Sequence, residues 1–172
     1  SAAGLSRRGQ EMALGGACHD VPEVGTIFAS SQPDPRLFPQ ALWGRLMQQQ
    51  WRQRASDWMN YGDPQGLGEL RAAISSYLVQ SRGVVCEPDQ ILILTSSQQG
   101  ILLATQLLID AGDTVWVEDP GYPGARTAME SAGARVHPVP VDEEGLNPHG
   151  DHPAPRLIYC TPAHQYPLGV PM

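Results

Sequence analysis

Apolar residues in this chain alternate between long stretches of helical period and short continuous runs. Leu42, Trp43, Leu46, Met47 and Trp51 recur at helical spacing behind Phe38-Pro39, which places a proline in the first turn of a predicted helix. A second helix carries Leu67, Leu70, Ile74, Tyr77 and Leu78 on one face and ends at Arg82-Gly83, a basic last turn followed by a C′ glycine. Ile91-Leu92-Ile93-Leu94 is a short apolar run of buried-strand type. A helix with Ile101, Leu102, Leu107 and Leu108 follows, closed by Gly112, and Thr114-Val115-Trp116-Val117 predicts the next strand. Gly124 to Ser131 reads as a helix stopped at Gly133. Val136 to Val141 reads as a strand that Pro138 and Pro140 confine to an edge or distort. Residues 142–155 form a loop rich in Pro, Gly and His, and Arg156-Leu157-Ile158-Tyr159-Cys160 is a last strand. Residues 1–26 lack periodicity and read as a linker or arm, leaving 27–172 as the folded part.

Helices alternating with short apolar strands predict an α/β fold with a mostly parallel sheet and flanking helices. In such sheets ligands bind at the carboxyl ends of the strands. Three polar clusters fall there: after Leu94, after Val117 and after Cys160.

The first cluster, Ser96-Ser97-Gln98-Gln99, is a strand-to-helix turn. Free N–H groups and the dipole at a helix start favour a phosphate, while serine is equally at home there as a plain N-cap. In the second, Glu118-Asp119-Pro120-Gly121-Tyr122-Pro123-Gly124, two prolines and two glycines constrain the loop around one aromatic ring. Such a ring suits stacking on a flat heterocycle, and a simple turn with a surface tyrosine fits equally well. The third, Thr161-Pro162-Ala163-His164-Gln165-Tyr166-Pro167-Leu168-Gly169, gathers hydrogen-bonding side chains in a constrained loop, where His164 alone would read as structural.

Composition narrows the classes. The chain has 172 residues, enough for one ordinary domain, and a net charge of −7, which argues against a free-standing nucleic-acid-binding domain. Three widely spaced cysteines, Cys18, Cys86 and Cys160, fit a reducing cytosol better than a disulfide framework. No run of about 18 apolar residues predicts a membrane span. Residues 1–16 lack the apolar segment of a signal peptide. The chain does not begin with Met, which points to processing or to a cut within a longer polypeptide. His149 and His152 make an H-x-x-H pair without a third ligand at useful spacing, so no metal site is expected.

Taken in order, Tyr61-Gly62-Asp63-Pro64-Gln65-Gly66-Leu67 with Leu70-Arg71, then the Glu118 to Gly124 loop, then the Thr161 to Gly169 loop, resemble the class I/II aminotransferases of pyridoxal phosphate (PLP) fold type I. Within that superfamily the chain is most similar to the aminotransferase-like domain of MocR-type regulators, a branch of the GntR family of transcription factors. The similarity runs from about Phe28 to Met172 and implies the N-terminal part of a PLP-transferase large domain. It further implies that Ser96, Ser97 and Gln98 hold the PLP phosphate, and that Tyr122 stacks on the pyridine ring. His164, Gln165 and Tyr166 would line the ring side, and Tyr61 would reach the cofactor of the partner subunit in a homodimer. Phe28 and the stretch to Asp34 would lie near the substrate.

The chain departs from the family pattern in places. Serine stands at 31 and 96 where the family often has glycine. All 11 basic residues are arginine. Family members bind PLP as a Schiff base on a lysine, which lies beyond the Pro-Leu-Gly loop, as does the aspartate that pairs with the pyridine nitrogen. No catalytic residue is therefore assigned, and the 172 residues alone are expected to be inactive. The resemblance implies a cytoplasmic regulator that senses PLP or an amino-acid-like molecule and binds DNA only through a further, upstream domain. A fragment of a genuine aminotransferase is the alternative, and a degenerate interaction module without cofactor is the second.

Overall fold

The computed structural model describes residues 4–15 and 33–172. Its elements are α1 (Arg7–Gly15), α2 (Gln40–Trp58), α3 (Gly68–Arg82), α4 (Ser97–Leu108), β1 (Thr114–Asp119), α5 (Pro123–Ser131), β2 (Arg135–Asp142), β3 (Gly145–Leu146) and β4 (Leu157–Tyr159). They divide into two units: Ser1–His19 with Thr95–Met172, and Asp20–Leu94. Within the stretch read as an arm, Arg7–Gly15 is helical. Phe28, Ser31 and Cys18 lie outside the described residues.

The first unit is built on a sheet in the order β3-β2-β1-β4. β1 pairs in parallel with both β2 and β4, and β3 folds back antiparallel on β2 through Val141↔Leu146 and Asp142↔Gly145. Sheet and helices thus give the expected α/β, mostly parallel arrangement. β1 is central, and Val115, Trp116 and Val117 on it are buried. Ile109, Val115, Val117 and Met129 form the core, flanked by Ala134, Val136, Leu157 and Tyr159. Hydrocarbon burial of this kind stabilises by about 25 cal/mol per Å² removed from water. Pro138 and Pro140 are accommodated because N–H groups alternate sides along a strand. Arg135 donates its amide to Asp113 O on the β1 side (2.8 Å), so positions 136, 138 and 140 face the other way, where a missing N–H costs no β1 bond.

The Pro/Gly/His loop also has internal order. Trp116 Nε1 donates to Pro153 O (2.8 Å), and the His152 ring stands edge-on to Trp116. His152 is bonded to His137 (2.9 Å) rather than to His149.

In the second unit, α2 follows Pro39 as the pattern predicts, and α3 ends at Gly83 in the left-handed region (φ 65). The only buried residue among its described positions is Arg71. Its guanidinium donates to Gly66 O, Gln65 Oε1, Pro88 O, Asp89 Oδ1 and Asp63 Oδ2 at 2.8–3.2 Å. Gly66 has φ 101, and a Cβ there would run into the Ile93 side chain.

One element differs from expectation. Residues 91–94 form no strand. Ile91 is extended (φ −106, ψ 127), and Ile93 donates to Gln65 O (2.9 Å). A strand is defined by a ladder with a neighbour, and a single bond to a loop carbonyl does not make one.

Candidate functional site

Because β1 and β4 are parallel, the loops that follow them leave the sheet at the same edge. The loop after β1 runs directly into α5, whose N-cap is Tyr122 with Pro123 in the first turn. The loop after β4 carries Thr161 to Gly169. The N-terminus of α4 joins them: Gln98 Nε2 donates to Gly124 O (2.8 Å). Three separate chain segments therefore meet in the first unit, as the motif positions predict.

Ser96 is the N-cap of α4, its hydroxyl accepting from the Gln99 amide (3.2 Å). Gln99 reaches back, accepting from the Thr95 amide and hydroxyl (both 2.8 Å). The plain N-cap reading of this turn is therefore what Ser96 shows. The cap occupies Ser96, while the amides of Ser97 and Gln98 remain at the open, positive end of the helix. Ser97 is exposed. Gln98 Oε1 is buried and has no hydrogen-bond donor among the described residues.

Tyr122 and Tyr166 stand edge to face, ring centroids 6.0 Å apart. Gly124 makes this possible, since a Cβ there would collide with the Tyr122 ring and with Gln98 Oε1. Gly121 is likewise required, because its Cβ would strike the carbonyl of Glu118. His164 is exposed and makes no side-chain hydrogen bond among the described residues.

Gln165 is placed differently from its neighbours. It is buried, and its amide nitrogen lies within bonding distance of Pro120 O (2.8 Å), Tyr166 O (2.7 Å) and Glu118 Oε2 (3.3 Å). Its oxygen accepts from the Leu168 amide (3.0 Å). The side chain ties the loops together from within.

Sequence reasoning missed the centre of this network, Glu118. Its carboxylate is buried and accepts from Thr161 N (3.0 Å), Thr161 Oγ1 (2.7 Å) and Gln165 Nε2. A charged residue closing an otherwise apolar strand is the signal that could have found it. Its effect reaches nearby groups. Burial, and then the Glu118 charge, push the Cys160 thiol above its ordinary range. Burial raises the Tyr159 phenol, helped by Tyr122, Glu118 and Cys160.

Tyr61 belongs to the second unit. It is fully exposed, with no side-chain hydrogen bond among the described residues, and it precedes the loop that Arg71 pins through Asp63, Gln65 and Gly66. Asp34 caps a short 3-10 turn and pairs with Arg36 (2.8 Å). No described helix is long and apolar enough to cross a membrane.

Comparison with known proteins gives this arrangement a context. The chain is 37% identical over 166 residues to the probable rhizopine catabolism regulatory protein MocR of Rhizobium meliloti, covering 96% of this chain and 34% of that protein. It is 33% identical to the pyridoxine biosynthesis transcriptional regulator PdxR of Corynebacterium glutamicum, over 87% of this chain and 32% of that one. The chain spans about a third of the length of these curated relatives. An archaeal alanine:glyoxylate aminotransferase matches in structure with a TM-score of 0.72 at 28% identity, over 81% of this chain and 37% of that one. The α-aminoadipate aminotransferase of Thermus thermophilus, solved with N-(5'-phosphopyridoxyl)-L-leucine, matches with a TM-score of 0.68 at 29% identity, over 80% and 35%. The sequence model for aminotransferase class I and II covers residues 32–152. With that match taking in both Ser96 to Gln99 and Glu118 to Gly124, the chain belongs to the aminotransferase class I and II family.

Proposed function

We propose that this chain is part of the aminotransferase-like sensing domain of a MocR-type transcriptional regulator, and that its three converging loops hold PLP. The observation that carries the reading is the junction of the α4 N-terminus with the Tyr122 loop through Gln98 and Gly124. The residues present fit a phosphorylated planar heterocycle. The Ser97 and Gln98 amides, with the serine hydroxyls beside them, suit a phosphate, and Tyr122 suits the ring. Tyr166 and His164 supply polar groups at the same edge. When bound, PLP acts as an electron sink for amino compounds. This chain's part is to bind and orient it, since it contains no lysine to join it covalently.

Tyr61, exposed and without a bonding partner in its own unit, would contact the phosphate of a partner subunit's cofactor. The apolar side chains exposed along α2, among them Leu42, Trp43, Met47 and Trp51, suit a subunit contact in such a dimer. DNA recognition would fall to another domain, in keeping with the charge of −7. The cytosol, where PLP-responsive transcription takes place, is the corresponding compartment.

A second reading has support of its own. The 2-aminoadipate transaminase of Thermus thermophilus is 32% identical over 147 residues, covering 36% of its length. One experiment separates the two. The full-length gene product is titrated with PLP by absorbance, then assayed for binding to its own upstream DNA and for amino transfer from an amino acid to a 2-oxo acid. DNA binding that PLP or an amino compound alters supports the regulator. Rapid transfer without DNA binding supports the enzyme, and absence of PLP binding refutes both.

A further inference from the structure

Glu118 is the penultimate residue of β1, the central strand, and is buried at 3% exposure without an ion pair among the described residues. A lone buried carboxylate is costly unless hydrogen bonds satisfy it. Here they come from a single direction. Thr161 contributes its amide and its hydroxyl, and Gln165, also 3% exposed, contributes its amide nitrogen. The bonds continue outward: Thr161 Oγ1 accepts from the Tyr166 amide (3.3 Å), and Gln165 also donates to Pro120 O (2.8 Å). A path of hydrogen bonds therefore runs from the strand carrying the Tyr122 loop to the backbone carrying Tyr166.

We propose that Glu118 is a positioning residue, whose buried carboxylate sets the Tyr166 loop against the Tyr122 loop and so fixes the spacing of the two rings. The proposal rests on the reading of these loops as a cofactor cradle. Glu118 touches no part of that cradle's open face and acts through Thr161 and Gln165. Three donors converging on two oxygens need an acceptor-only group. A carboxylate provides it and a carboxamide does not.

The test uses the full-length gene product, with PLP dissociation constants from absorbance titration for Glu118→Gln, Thr161→Val and Thr161→Ser. Glu118→Gln forces a donor against a donor, and PLP binding is expected to weaken about tenfold or more. Thr161→Val should weaken it similarly, and Thr161→Ser, which keeps the hydroxyl, should restore it to near wild type. A second readout needs no cofactor. Peptide-resolved alkylation of Cys160 across pH should show its profile moved slightly to lower pH in Glu118→Gln, because burial still raises the thiol and only the smaller contribution of the carboxylate is removed. If Glu118→Gln does not fold, the Val and Ser variants at 161 decide. Wild-type affinity in Glu118→Gln or Thr161→Val overturns the proposal even when the melting temperature falls, since Glu118 would then only stabilise. Equal loss in Thr161→Val and Thr161→Ser also overturns it. A wild-type protein that binds no PLP refutes the cradle itself, a result distinct from a wild type that binds and variants that match it.

Discussion

The two units reach stability by different means. In the first, Val115, Val139 and Met129 are almost wholly removed from water between sheet and helices. In Asp20–Leu94, the one buried side chain among the described residues is an arginine, and no residue of α2 is buried. Its aromatic residues meet locally at a tilt instead: Phe38 and Trp43 at 5.7 Å, Trp51 and Trp58 at 6.0 Å. Burying hydrocarbon is non-directional and tolerates small shifts. A guanidinium with five acceptors does not, because each bond has its own geometry. The lesson is that one unit is held by volume and the other by registration of polar atoms, so they should fail under different insults.

The largest effect should come from Met129→Ala, which opens a cavity beside β1 and should cost about 2–5 kcal/mol in urea unfolding followed by Trp116 fluorescence. A loss well under 1 kcal/mol would mean that the core is looser than its burial implies. Gly66→Ala should come next. It forces alanine to φ 101 and against Ile93, and should destabilise the second unit by about 2–4 kcal/mol. Hydrogen exchange should place that loss in residues 63–94 and spare β1. Arg71→Met keeps bulk but removes all five bonds, for about 1–3 kcal/mol. Two of its partners, Asp63 and Asp89, are solvent-accessible and can rehydrate, so the strain should fall on the carbonyls of Gly66 and Pro88. An effect on the sheet as large as that on the Asp63 loop would erase the distinction between the units.

The smallest effect concerns pH. The Cys160 thiol and the Tyr159 phenol both stand above their ordinary values in the folded protein. Below the ordinary thiol range, folded and unfolded chains are both protonated and their contribution is fully present. As pH rises, the unfolded chain ionises first, so stability should fall through the alkaline range up to the folded values. Thermal melts in buffers of rising alkalinity should show that decline in the first unit, and Cys160→Ala should reduce it. The Arg54–Glu69 pair (2.8 Å) joins a half-buried arginine to an exposed glutamate, so Glu69→Gln should leave melting nearly unchanged.

Much of this arrangement was legible in the sequence. Period and turn residues located α2, α3, α4, α5, β1, β2 and β4, because Pro39, Gly83 and Gly133 act locally where they stand. The meeting of three loops followed from strand direction, which alternation of helix and strand implies. What escaped were features that depend on partners distant in the chain. Ile91 to Leu94 has strand composition, but pairing is a property of two segments and not of one. Gln165 reads as a polar group for a ligand, and its bonds to Pro120 O and to Glu118, 47 residues earlier, turn it inward. Arg71 reads as part of a motif, and its burial depends on Asp89 and Pro88. Tyr61, Ser97 and His164 are placed in the open.

The bonds among Glu118, Thr161 and Gln165 have a further consequence for how these positions vary over generations. Losing the carboxylate takes away the acceptor that Thr161 and Gln165 share, so a change at 118 should rarely stand alone. Across related genomes the three sites should be inherited together as one character. A lineage that has lost the glutamate should also have replaced the threonine and the glutamine.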